Sequence, residues 1–129
     1  MALRTDGARA TVDITQFRGL ALLNDVARAL INDAKPDAVP DFTLRQLAIL
    51  LTIYLDPPPH TVRGLAEKLR VTKPVVTRAL DVLSKQAIIA RRRDDVDKRN
   101  VIVQQTVKGT LYVETLGDLV VAKAIGLSR

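Results

Sequence analysis

A chain of 129 residues holds one ordinary domain, and with 47% hydrophobic residues but only 3% aromatic ones its core must be aliphatic. No Cys, one His (His60) and two Ser (Ser84 and Ser128) leave no disulfide or thiolate metal site and supply Ser-His-Asp chemistry poorly, so an enzyme, a bound metal and a cofactor are not expected. The net charge is +6, and residues 61–110 carry all of the excess, with twelve Lys/Arg against five Asp/Glu, which points to a polyanionic partner for that stretch.

Residues 1–12 mix charges with small residues, read as frayed, and lack the apolar core of a signal peptide. No apolar run reaches membrane-spanning length, so a cytoplasmic protein is expected. From Asp13 the apolar positions Ile14, Phe17, Leu20, Leu23, Val26 and Leu30 recur at helical spacing. Asp13 is the expected N-cap, and the helix should stop near Asp33, before Lys35-Pro36. Ala34 to Asp41 then reads as a loop.

Leu44–Leu55 is apolar nearly all round and is expected to be the central buried helix, capped by Thr43 or Asp41 and ended by Asp56-Pro57-Pro58-Pro59. His60 follows as a loop residue. Thr61–Leu69 is a short helix with Val62, Leu65, Ala66 and Leu69 on its apolar face. Arg70-Val71 makes a turn. Thr72 caps the next helix, with Pro74 in its first turn, where a missing N–H costs nothing. That helix runs to Lys85 or Gln86 and turns Val76, Leu80 and Leu83 to the core.

After Ala87 the period changes from 3.6 to 2. Ile88–Arg93 and Asn100–Gln105 read as a hairpin whose charged tip runs from Asp94 to Arg99. Thr106 begins a final helix to about Ile125, placing Val113, Leu116, Val120 and Ala124 on one side. Gly109 and Gly117 should weaken it slightly.

Helix, turn, helix and charged hairpin together make a helix-turn-helix with a wing. The second helix of such a pair fits the major groove of duplex DNA, and the hairpin tip reaches a neighbouring minor groove whose potential favours arginine. Thr77 and Arg78 are candidate base-edge and phosphate contacts. Thr72, Lys73 and Pro74 stand at the helix N-terminus, where backbone N–H groups favour phosphate, although Thr72 serves equally as a plain cap. On the first wing strand Arg91 and Arg93 share one face and Arg92 takes the other, with Arg93 the better-placed candidate and a solvated edge strand the alternative. At the tip, Lys98 and Arg99 are basic candidates, and Asp97 is spaced to hold the Arg99 guanidinium.

These residues resemble the MarR-type winged helix-turn-helix transcriptional regulators. Thr72–Leu83 (TKPVVTRALDVL) is similar to that family's recognition helix. Arg91–Arg99 is similar to its wing, whose tip typically reads Asp-Arg-Arg where this chain has Asp97-Lys98-Arg99. Thr106-Val107-Lys108-Gly109 is similar to the junction into the last helix. The likeness runs over about residues 42–117. Arg70 and Ala87 depart from it at positions where glycine is frequent, and Gln105 stands where an apolar residue usually packs under the wing. The helix starting after Thr61 also lacks the Glu of a full capping box, having Gly64 instead.

The resemblance implies a mostly α (α+β) winged-helix domain over residues 1–129. Residues 42–105 would be the DNA-binding core and wing, and terminal helices at 13–33 and 106–126 would interlock into a two-fold homodimer. It implies a sequence-specific repressor of transcription and a small aromatic or phenolic effector, although few aromatics are present to line a pocket. Two other readings stay open: a protein-interaction or non-specific architectural module, and a small carboxylate enzyme built on Asp94, Asp95 and Asp97 with a divalent metal.

Overall fold

The computed structural model describes residues 2–4, 11–13, 15–31 and 41–127. They fall into two compact units, Met1–Ala38 with Leu116–Arg129, and Val39–Thr115.

In the first unit, β1 (Ala2–Arg4) pairs antiparallel with β2 (Thr11–Asp13), Ala2 opposite Asp13. The expectation of a frayed start is corrected to that extent. Asp13 is also not the cap of α1 (Gln16–Ile31), because its backbone is committed to β2. Thr15 caps instead: its Oγ1 accepts the Arg18 N–H at 3.2 Å and its carbonyl accepts that of Gly19. Ile14 and the expected helix end near Asp33, with most of the following loop, lie outside the described residues. No residue of α1 is buried, and Phe17 is 83% exposed.

The second unit starts with α2 (Leu44–Leu55). Thr43 closes a capping box: its Oγ1 accepts from Gln46 N, and Gln46 Oε1 accepts from Thr43 N at 2.9 Å. The expected central buried helix buries one face only, Ile49, Leu50 and Ile53, while Leu44 and Leu55 are exposed. Within this unit α2 packs against α3 (Val62–Leu69), α4 (Lys73–Lys85) and β5 (Val101–Gln105), which line one side of it.

β3 (His60–Thr61) precedes α3, and the wing strands are β4 (Ile89–Arg93) and β5. The sheet order is β3-β5-β4, antiparallel throughout. The expected two-stranded hairpin therefore gains a third strand. His60, expected in a loop, pairs with Val103 and is only 5% exposed. Its Nε2 lies 3.1 Å from the Asp56 carbonyl; a carbonyl can only accept, so Nε2 carries the proton. The core is aliphatic, built on Leu50, Ile53, Leu65, Leu80, Leu83 and Ile88, each worth about 1.5–3 kcal/mol of transfer energy.

α3 and α4 end in the same way. Arg70 (φ 55°) and Ala87 (φ 60°) adopt the left-handed conformation. The next N–H of each reaches back five residues, Val71 to Ala66 at 3.0 Å and Ile88 to Leu83 at 3.2 Å. These are the two positions where glycine is missing from the resembled pattern, and both turns keep their geometry without it.

α5 (Val107–Leu127) starts from Thr106, whose Oγ1 accepts from Gly109 N and donates to the Ala87 carbonyl. Gly109 is not merely a weak helix former. A Cβ there would lie within 3 Å of the Tyr54 ring, the Tyr54 hydroxyl and the Ile88 carbonyl.

Candidate nucleic-acid interface

α4 turns opposite faces to the core and to solvent. Val76, Ala79, Leu80 and Leu83 are buried. Lys73, Pro74, Thr77, Arg78 and Asp81 are exposed, and the three- and four-residue spacing puts them on one outer surface. Thr72 Oγ1 accepts from Val75 N at 3.4 Å, so this residue caps the helix. Pro74 lies in the first turn, as expected. The first turn of α4 thus presents the Lys73 cation beside the exposed Thr72 and Thr77 side chains, while Thr72 takes the N–H groups of Val75 and Val76 and Pro74 has none.

The wing gives its three consecutive arginines three different surroundings. Arg91 Nη1 donates to Asp81 Oδ1 at 2.7 Å, with side chains 30% and 59% exposed respectively. It ties β4 to the middle of α4. Arg93 Nη1 donates to the Lys98 carbonyl at 2.9 Å, bracing the tip from below. Arg92, on the opposite sheet face, reaches only the Arg93 carbonyl at 3.4 Å.

The tip is a built turn. Asp94 Oδ1 accepts the Val96 N–H at 2.9 Å, and the Asp94 N–H bonds the Asn100 carbonyl. That accounts for an acid at a place where phosphate repulsion alone would disfavour it. Asp97 grips Arg99 with both oxygens, Oδ1 to Nε at 3.1 Å and Oδ2 to Nη2 at 3.2 Å, and Oδ1 also accepts the Arg99 backbone N–H. The Arg99 side chain hydrogen bonds come first among the causes that hold the Asp97 carboxyl below its ordinary value of 3.8, followed by the backbone bond and the charge of Arg63. Lys98 is exposed beside them.

Under the wing, Gln105 donates from Nε2 to the Ile53 carbonyl at 3.3 Å, so the polar residue at this apolar position has a partner. Sequence reasoning missed Asp81 as the partner of Arg91; ten residues of separation carry no local signal. It also missed that Tyr54 holds the wing base. Tyr54 Oη donates to the Ile88 carbonyl and accepts from Thr106 N. Among the described residues, no group of three or more His, Cys, Asp or Glu is placed to hold a metal, and no helix is long and apolar enough to cross a membrane.

Residues 41–100 match the MarR family. That segment is similar to the MarR-type winged helix. The fold extends the likeness beyond it. A MepR mutant from a multidrug-resistant S. aureus clinical isolate superposes with TM-score 0.70 at 22% identity, over 90% of this chain and 83% of that one. The S. aureus MepR–DNA complex gives 0.64 at 24% identity over 80% of each chain. Reduced AbfR bound to DNA gives 0.62 at 20% identity, over 82% of this chain and 72% of that one. No curated protein matches the sequence significantly. At these identities the shared property is the winged-helix fold, in which α3 and α4 form the helix pair and β4–β5 the wing.

Proposed function

We propose that this protein is a sequence-specific double-stranded DNA-binding transcriptional regulator, a repressor, acting as a homodimer in the cytoplasm, and not an enzyme. The observation that carries the reading is the pairing of a polar, basic α4 outer face with an arginine held at the wing tip. Thr77 and Arg78 read base edges in the major groove, while Thr72, Lys73 and Pro74 meet the phosphates at the helix N-terminus. Arg99, oriented by Asp97, enters the minor groove, with Lys98 and Arg93 supporting that contact. Arg91 acts through Asp81, setting the angle between wing and recognition helix. The DNA named in the MepR and AbfR complexes supports this assignment.

Residues 42–105 are the DNA-binding core, and the helices at either end make the dimer. Exposed Phe17, Leu20 and Leu23 on α1, and Val121 and Ile125 on α5, support an apolar interface. Two-fold symmetry then sets two copies of α4 about 34 Å apart, one turn of DNA. A small-molecule effector belongs to the same reading.

The test is selection of random duplex DNA on the purified protein at two salt concentrations. An enriched inverted repeat, with log affinity falling by about 0.9 per neutralised phosphate against log salt, is the expected result. Retention without a motif would reduce the protein to an architectural binder, and no retention at either salt would overturn the DNA reading.

A further inference from the structure

Val96 is the most exposed large apolar side chain among the described residues, at 95%. It stands alone in a charged tip, between Asp94-Asp95 and Asp97-Lys98-Arg99, and it packs against no part of the core. Its backbone is nevertheless fixed. Asp94 Oδ1 accepts the Val96 N–H at 2.9 Å, the Asn100 N–H reaches the Asp97 carbonyl at 2.9 Å, and the Asp94 N–H closes the tip on the Asn100 carbonyl at 3.0 Å. Branching at Cβ stiffens the side chain at χ1. The tip therefore holds an isopropyl group out in solvent at a defined place.

Charge alone gives this tip little hold on DNA. From Arg93 to Arg99 three carboxylates stand against three cations, and Asp97 already pairs with Arg99. What the tip gains from a duplex then depends on the base edges and sugars it meets. On the floor of the minor groove an A·T pair offers only acceptors, whereas a G·C pair adds the guanine N2 amino donor. That amino group stands up from the floor. An isopropyl group pressed there accepts no hydrogen bond, so at a G·C pair it would crowd the donor and leave it unpaired, a cost that an A·T pair does not carry.

We infer that Val96 is a specificity-determining residue of the wing, seated on the minor-groove floor beside Arg99 and rejecting G·C pairs through the guanine N2 amino group. Arg99 answers the potential of the groove, and Val96 answers one atom in it. This rests on the DNA-binding reading and gives it a base-pair preference at the flank of the site.

The experiment measures affinity of the full chain for its selected duplex with the pairs under the wing set to A·T, G·C, inosine·C or 2,6-diaminopurine·T. Inosine is guanine without the N2 amino group, and diaminopurine is adenine with it. The variant is Val96→Asn, whose amide oxygen accepts from that donor. It keeps the tip, because the bond to Asp94 is made by the backbone of an exposed residue. The wild-type chain should prefer A·T and inosine·C to the other two pairs, and Val96→Asn should reduce that preference about fivefold. Inosine·C as weak as G·C, no flank preference in the wild-type chain, or a preference untouched by Val96→Asn each overturns this inference while the DNA-binding reading stands. A wild-type chain that retains no duplex overturns both.

Discussion

The Tyr54 hydroxyl donates to the Ile88 carbonyl at 2.5 Å, so the last turn of α2 is bonded to the residue where α4 gives way to the wing. The same oxygen accepts the Thr106 N–H at 3.2 Å, which adds the end of β5 and the start of α5 to the junction. Gly109 lets this happen, because its missing Cβ is the space that the phenol occupies. Gly109→Ala should therefore destabilise the fold by about 1–3 kcal/mol, although alanine is the better helix former. Tyr54→Phe should cost about 1–3 kcal/mol by leaving the Ile88 carbonyl and Thr106 N–H without their partner. Urea unfolding of both variants checks this, and a stabilised Gly109→Ala would mean that the phenol does not pack there.

Arg70 and Ala87 hold left-handed backbone that costs an L-residue roughly 1–2 kcal/mol, which glycine avoids by having no Cβ, although its freer unfolded chain offsets part of the gain. Arg70→Gly and Ala87→Gly should each raise the thermal midpoint, by about 0.5–1 kcal/mol in stability. A lowered midpoint for both would show that the two turns are unstrained.

The Asp81–Arg91 pair is partly exposed, so its worth to stability is about 0–1 kcal/mol. Its value lies in orientation. Asp81→Arg and Arg91→Asp should each weaken DNA binding, and the double variant should recover much of the loss. Arg91→Ala should leave the salt slope unchanged, whereas loss of a phosphate contact would lower it by about 0.9. A lowered slope would make Arg91 a phosphate contact.

Asp97 is ionised well below neutral pH because Arg99 favours its charged form. A depressed folded pKa gives a contribution that is fully present above the unfolded value and is lost as pH falls through the folded one. The Arg99 amide and side-chain signals should thus stay constant from neutral pH down to the ordinary carboxylate range, and move only below the ordinary value of 3.8. Asp97→Asn should remove that acid transition. A transition near neutral pH would contradict the fork.

Arg78→Ala should cost about 1–3 kcal/mol of DNA affinity and relax preference at one base pair. Arg99→Ala should weaken binding chiefly at sites flanked by narrow, A/T-rich minor groove. Binding to a panel of single-base and flank variants separates the two. Uniform losses across the panel would reduce both residues to phosphate contacts.

Much of this was legible in the sequence, because it depends on local order. The Thr72 cap, the stripe of Val76, Leu80 and Leu83, and the change to period 2 after Ala87 each follow from residues a few positions apart, as does the Asp97–Arg99 pair. Asp13 was misread because an acid before an apolar run resembles a cap, and only the pairing with Ala2 shows that its backbone is already used. His60 was misread because three prolines precede it, and a two-residue strand has no periodicity to detect. The helix-turn-helix, the basic wing and the aliphatic core follow from the residues alone, since spacing, charge and side-chain branching act within one turn or one strand. It took the folded chain to show that Gly109 makes room for Tyr54, that Arg91 belongs to Asp81, and that Arg92 faces a cavity. Those relations join residues ten or more positions apart, and what brings them together is the packing of whole elements around a shared core.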